Sequence, residues 1–168
     1  GDVGTTGIMG GLAGINNGSI SFSNAVGRVD CGVNSTCGGL VAKNGSSGIS
    51  ASISNSYATG GVDGTGNDVG GLVGNNAQGS TISTSYATGK IKGSGNGGGL
   101  IGNNEGSIAS GYWNVSLSKD GVSKGSSNGA TGLTAAEMLV SSRFANFALT
   151  TTPGANGWLV INTDGSLQ

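Results

Sequence analysis

The side chains able to do chemistry in this chain are few, and their types narrow its options at once. There is no histidine among the 168 residues, which removes the commonest general base and metal ligand. The eight acidic residues are scattered without close pairing, so a two-carboxylate glycosidase site is not expected. Serine is abundant, but no serine stands beside a plausible base, and the chain is not expected to be an enzyme. Asp63 and Asp68 bracket Gly64-Thr65-Gly66-Asn67 and could curl around Ca²⁺ with carboxylate and carbonyl oxygens. A solvated loop is the simpler reading there, since the matching stretch at 93–97 has no carboxylate and excludes a calcium ladder. Cys31 and Cys37 enclose five residues, and metal binding through them would need partners that this chain lacks. The remaining set is aromatic: Tyr57, Tyr86 and Tyr112, with Thr59 and Thr88 two residues after the first two. Aromatic faces with neighbouring hydroxyls suit a sugar ring or a protein partner. The competing reading is that stacked tyrosines only stabilise adjacent coils.

What must position those residues is a repeat. One phrase occurs four times, at Gly10-Gly11-Leu12-Ala13-Gly14, Gly38-Gly39-Leu40-Val41-Ala42, Gly70-Gly71-Leu72-Val73-Gly74 and Gly98-Gly99-Leu100-Ile101-Gly102. Its leucines lie 28, 32 and 28 residues apart, a period that marks a unit stacking on its own copy. Asn16, Asn44, Asn76 and Asn104 each fall four residues after a phrase leucine. A second half follows, beginning at Ile20, Ile53, Ile82 and Ile108 and reading Ile-Ser-Asn-Ser-Tyr-Ala-Thr-Gly in the second copy. Length varies only in stretches such as 44–52 and 63–69, where a coil can bulge without disturbing its neighbours.

Composition supports one domain with a repetitive β architecture. The 37 glycines and single proline exclude collagen, because glycine does not recur at every third position. They also exclude an α-helical repeat, where each interior glycine costs about 1 kcal/mol relative to alanine. A disordered linker could share this composition, but here the apolar residues recur in register. A net charge of −1 suggests neither nucleic acid nor an anionic membrane as partner. No apolar run is long enough to cross a bilayer as a helix. With no signal peptide evident, the chain is expected to be a mature product or a fragment of something longer.

These features predict an all-β fold, a parallel β-solenoid of about four coils over 1–112 with a C-terminal cap over 113–168. Strand alternation puts Ser54, Ser56, Ala58, Gly60 and Val62 inside, with Tyr57 and Thr59 outside. A turn near Gly60 and Gly89 would reverse that parity. The turn asparagines are expected to stack as an amide ladder. In the cap, Thr134 and Glu137 form a capping box, with Leu133 stapled to Met138. That predicts one short helix to about Ser142, presenting Met138 and Leu139 to the stack. Trp158 to Ile161 reads as a closing strand. No comparable cap is read before the first coil, so either preceding sequence is missing or that end is expected to stack on something.

The phrase Gly-Gly-Leu-Val-Gly-Asn-Asn, followed by Gly-Ser-x-Ile-Ser-x-Ser-Tyr-Ala-Thr-Gly, resembles the GLUG-motif repeats. The likeness covers about residues 8 to 112 and is best at Gly70 to Ile91. Gly111-Tyr112-Trp113-Asn114, Thr131-Gly132-Leu133-Thr134 and Glu137-Met138 look like the tail that often follows such repeats. The first copy departs, with Asn24 at the tyrosine position and Val26 at the threonine position. The resemblance implies an extracellular module of secreted bacterial surface proteins, including filamentous-haemagglutinin-like adhesins and some immunoglobulin A peptidases, with no shared catalytic residues. In that setting a Cys31–Cys37 disulfide is the favoured pairing. The function expected is non-enzymatic adhesion or structure, with the Tyr/Thr face presented to a glycan or protein. The alternatives are self-stacking into a filament, an accessory module of a peptidase, and an ice-binding face. Asn17, Asn34, Asn44 and Asn114 open Asn-x-Ser/Thr sequons, which chance produces readily in this composition.

Overall fold

A computed structural model of the chain describes residues 7–92, 97–150, 152 and 157–159. The fold is all-β, with parallel sheets and no closed barrel. Successive repeats lay equivalent strands side by side. Ile8–Gly10, Thr36–Gly38, Asp68–Gly70 and Gly97–Gly98 form a first sheet. Ala13–Asn16, Val41–Asn44, Val73–Asn76, Ile101–Asn104 and Val122–Gly125 form a second. The third contains Ser19–Ser21, Ser52–Ser54, Thr81–Ala87, Ser107–Asn114 and Ala130–Leu133, with Asn24–Ala25 and Tyr57–Ala58 continuing it. Val29–Cys31, Val62–Gly64 and Ile91–Lys92 form the fourth.

The leucine phrase explains how closely the repeats approach. A Cβ on Gly70 would run into the carbonyl of Val73, and one on Gly71 into the carbonyl of Gly99 in the next repeat. Only glycine allows both contacts. The leucines then bond in series, Leu12 N–H to the Leu40 carbonyl at 2.9 Å, Leu40 to Leu72 at 2.9 Å, and Leu72 to Leu100 at 2.8 Å. The side chains of Leu40, Leu72 and Leu100 join Val41, Val73 and Ile101 with Ile53, Ile82 and Ile108 in one apolar column. Each fully buried leucine or isoleucine contributes on the order of 1.5–3 kcal/mol. A smaller cluster holds Val29, Val62, Val69 and the disulfide-linked Cys31 and Cys37.

The corner of the second half-repeat lies elsewhere than expected. Phe22, Asn55, Thr84 and Ser110 have φ of 48°, 47°, 41° and 60°, and each stands two residues after the repeat isoleucine. The left-handed residue reverses the alternation, so Ile53 and Ile82 point inward and Ser54 and Ser83 are only half-buried. Beyond it Ser56, Ala58, Gly60 and Val62 are buried as predicted from period two. The parity therefore changes at Asn55 and Thr84, not at Gly60 and Gly89.

The C-terminal region also differs from expectation. Residues Val122–Gly125 and Ala130–Leu133 extend the second and third sheets by one more layer. The apolar column is closed by Trp113, whose ring lies where Cβ atoms on Gly99, Gly121 and Gly132 would fall; its Nε1 donates to the Ser118 carbonyl at 3.0 Å. The capping box forms, with Thr134 N–H donating to Glu137 Oε2 at 2.9 Å and Glu137 N–H to Thr134 Oγ1 at 3.2 Å. These Thr134 bonds, the backbone one foremost, hold the Glu137 carboxyl below its usual range. No α-helix follows: Glu137–Leu139 and Ser141–Arg143 are single 3₁₀ turns. Leu139 is exposed and does not meet the stack. A box without an apolar face to bury cannot sustain a helix this short.

Candidate functional site

Two surfaces are candidates for a functional site: the tyrosine face and the outer side of the first repeat. Tyr57, Tyr86 and Tyr112 occupy one register position of the third sheet. The Tyr57 and Tyr86 rings are stacked, 5.0 Å between centroids and 3° between planes. The face they make is covered by the chain itself. Phe144 packs at 5.0 Å from Tyr112 and 6.2 Å from Tyr86. Phe147 meets Tyr112 at 5.5 Å, and Trp158 meets Tyr57 at 5.7 Å and Tyr86 at 5.4 Å. The strap is tied down polarly as well. The Tyr112 hydroxyl donates to the Ala145 carbonyl at 3.2 Å, and Asn146 Nδ2 donates to Ser110 Oγ at 2.8 Å. Tyr112 is consequently buried, Tyr57 and Tyr86 half-buried, Thr88 half-buried and Thr59 exposed. Nothing in the sequence links Phe144, Phe147 and Trp158 to the tyrosines, because the pairing is long-range and none of the three belongs to the repeat. Trp158–Leu159 pairs with Leu149–Thr150; Val160 and Ile161, expected in that strand, lie outside the described residues.

Burial, with the adjacent Tyr57 second, pushes the Tyr86 phenol up from 10.0 to about 12. The folded protein thus keeps a proton that the unfolded chain has released. Stability should be unaffected below about pH 10 and fall as pH rises towards about 12. Thermal melts across that window should show the loss in the wild type, and Tyr86→Phe should remove this component of it. Ultraviolet titration of the same pair checks the assignment, because the late phenolate component should vanish with Tyr86.

The asparagines make a buried chain of amides. Asn16 Nδ2 donates to Asn44 Oδ1 at 2.8 Å, Asn44 to Asn76 at 2.9 Å, and Asn76 to Asn104 at 2.8 Å. Asn104 closes the series on the Ser126 carbonyl at 2.7 Å. A serine series that the sequence did not disclose runs parallel to it. The Ser23 N–H donates to Ser56 Oγ and the Ser56 N–H to Ser85 Oγ, both at 3.2 Å. Both ladders satisfy interior polar groups and leave no side chain pointed at a ligand.

The two aspartates considered for calcium face cations of other repeats. Asp63 Oδ2 accepts from Arg28 at 2.7 Å, and Asp68 Oδ1 pairs with Lys124 at 3.3 Å. Among the described residues no group of three or more His, Cys, Asp or Glu could hold a metal ion. Residues 93–96, part of the stretch compared with that loop, lie outside the described residues.

The first repeat is different in kind. Leu12 is 50% exposed, while Leu40, Leu72 and Leu100 are fully buried. Ile8–Gly10, Ala13–Asn16 and Ser19–Ser21 each pair on one side only among the described residues. Ile8, Ile15, Phe22 and Val26 of this repeat are exposed as well.

No curated protein and no solved structure matches the chain. Residues 65–92, which carry the third leucine phrase, its asparagine and Tyr86, match the family model of the GLUG motif.

Proposed function

We propose that the chain is a non-enzymatic structural module of a secreted bacterial surface or matrix protein. Its stacked repeats are the coils of a short parallel β-solenoid, and its first coil is an association surface. The observation that carries this reading is Leu12, half exposed at the one position where every later repeat is sealed. Among the described residues the first-repeat strands have a neighbour on one side only, and such edges beside exposed apolar side chains make a template for further pairing. The Cys31–Cys37 disulfide accords with an oxidising compartment, and the GLUG match over 65–92 supports the repeat reading.

Sedimentation velocity over a concentration series tests the association. The wild type should form larger species as concentration rises, and Leu12→Lys should stay monomeric with an unchanged melting temperature, because that side chain is already half in water. A wild-type monomer at every concentration would refute the reading.

The tyrosine face as a glycan or protein site is the second reading. The exposed Thr59 beside the half-buried Tyr57 favours it. It requires Phe144, Phe147 and Trp158 to leave the tyrosines, so ligand would have to compete with the five close pairs that these rings make with Tyr57, Tyr86 and Tyr112.

A further inference from the structure

Five asparagines of the chain are followed by glycine: Asn17, Asn44, Asn96, Asn128 and Asn156. In such a pair the glycine nitrogen can attack the asparagine side chain, because glycine sets no Cβ in the way. The attack needs that N–H free and the carboxamide able to turn. Asn96 and Asn156 lie outside the described residues, and the other three differ sharply in both respects.

Asn44 is locked. It is fully buried, its carboxamide accepts from Asn16 at 2.8 Å and donates to Asn76 at 2.9 Å, and the Gly45 N–H donates to the Asn16 carbonyl at 2.7 Å. Asn17 is exposed but tied down. The Gly18 N–H donates to Asn16 Oδ1 at 3.1 Å, and Asn17 Oδ1 accepts from Ser46 Oγ at 3.0 Å. Asn128 has neither restraint. It and Gly129 are exposed, in a turn closed by the Ala130 N–H on the Ser127 carbonyl at 3.0 Å. The Asn128 N–H is bonded to Ser126 Oγ at 3.3 Å. Among the described residues, neither the Asn128 carboxamide nor the Gly129 N–H has a partner. Glycine is also required here, since φ at Gly129 is 85° and a Cβ would run into the Ile108 carbonyl.

We propose that Asn128 is a site of spontaneous covalent modification in the folded protein, converting to aspartate or isoaspartate with water as co-reactant. The Gly129 nitrogen attacks Asn128 Cγ, the new C–N bond closes a succinimide ring, and the side-chain nitrogen leaves as ammonia with the Gly129 proton. One water then opens the ring. Cleavage of the bond from Cγ to the Gly129 nitrogen gives aspartate, and cleavage of the main-chain bond gives isoaspartate. Either product adds one negative charge to a chain of net charge −1. Isoaspartate also routes the main chain through the side chain and lengthens the turn. The Gly129 carbonyl, which accepts from the Gly111 N–H at 2.9 Å, then moves, and with it the start of Ala130–Leu133 on the third sheet.

The test ages the wild-type, disulfide-bonded chain in two samples at one mildly alkaline pH, one folded and one unfolded in guanidinium chloride. Peptide mapping by mass spectrometry reads the conversion rate at each asparagine, and the unfolded sample gives each site its own reference. Asn128 should convert in the folded chain at close to its unfolded rate. Asn17 should be slowed about ten-fold, the factor set by breaking one hydrogen bond first, and Asn44 should not convert while folded. Folding that slows Asn128 as much as Asn17, or stops it, would overturn the proposal. Hydrogen exchange reads the consequence. Isoaspartate-bearing chains should lose protection at the Gly111 amide, while Asn128→Asp, with the same charge on a main chain of normal length, should keep it. Full protection at Gly111 in the isoaspartate form would overturn the inferred loosening of that strand.

Discussion

Gly71→Ala will yield a chain that does not hold its repeat stack. The added methyl has nowhere to go, because the Gly99 carbonyl of the next repeat already occupies its place and the Ala87 side chain stands behind it. Neither neighbour is the free end of a flexible side chain. Relief would require two repeats to separate, which breaks the bond from the Gly71 N–H to the Gly98 carbonyl at 3.0 Å and loosens the leucine series beside it. Overpacking in a dense interior commonly costs about 1–3 kcal/mol, and a backbone clash that cannot relax should lie at or beyond the upper end. A control separates this from any general effect of replacing glycine. A Cβ on Gly27 meets nothing within 4 Å, so Gly27→Ala should be neutral or stabilising by up to about 1 kcal/mol through the unfolded state. Urea denaturation of the two variants beside the wild type gives both numbers. Equal stability for the two would mean that the repeats do not approach through their glycine pairs.

Asn76→Ala should be nearly as damaging for a different reason. Asn76 is fully buried in the middle of the amide chain, accepting from Asn44 and donating to Asn104. Its loss leaves the Asn104 carbonyl oxygen without that donor and removes one of the two acceptors of Asn44 Nδ2, the other being the Thr81 carbonyl at 3.2 Å. Each buried polar group left unsatisfied costs about 1–3 kcal/mol, so a total of about 2–4 kcal/mol is expected. Asn16→Ala removes an end link only, from a position already slightly exposed, and should cost clearly less. Similar losses for the two variants would show that the asparagines act singly and not as a series.

Much of the stack can be read in the chain because its causes repeat. Glycine pairs, leucines and asparagines at fixed offsets each answer to one neighbour of the same type, so a single sequence displays both partners of every contact. The corner was harder, since the left-handed position is filled by Phe22, Asn55, Thr84 and Ser110, and only asparagine signals that conformation by type. The parts that escaped are those made once. Trp113 closes the leucine column through contacts with Gly99, Gly121 and Gly132, and the strap reaches the tyrosines from more than thirty residues away in sequence, as between Tyr112 and Ala145. Neither contact has a copy elsewhere to announce it. For the same reason the sequence left the tyrosines between a ligand face and rings that only brace adjacent coils, and it gave no sign that the chain's own aromatic rings pack on them.

The exposed apolar residues of the first repeat were legible in part. Asn24 and Val26 stood out as departures in the first copy, but the significance of Ile8, Ile15 and Phe22 depends on knowing which residues share their register. That required the pairing of Ile15 with Lys43 and of Ile8 with Thr36.

The central claim is that the repeats stack in register around one continuous series of buried asparagine amides. Hydrogen exchange of the side-chain carboxamides of Asn44 and Asn76, followed by NMR on the wild-type chain, tests it most directly. The stack requires these NH₂ groups to exchange slowly, protected like the backbone amides of Leu40 and Leu72 beside them. Exchange at the rate of a free amide, with those backbone amides still protected, would contradict the ladder and the register that depends on it.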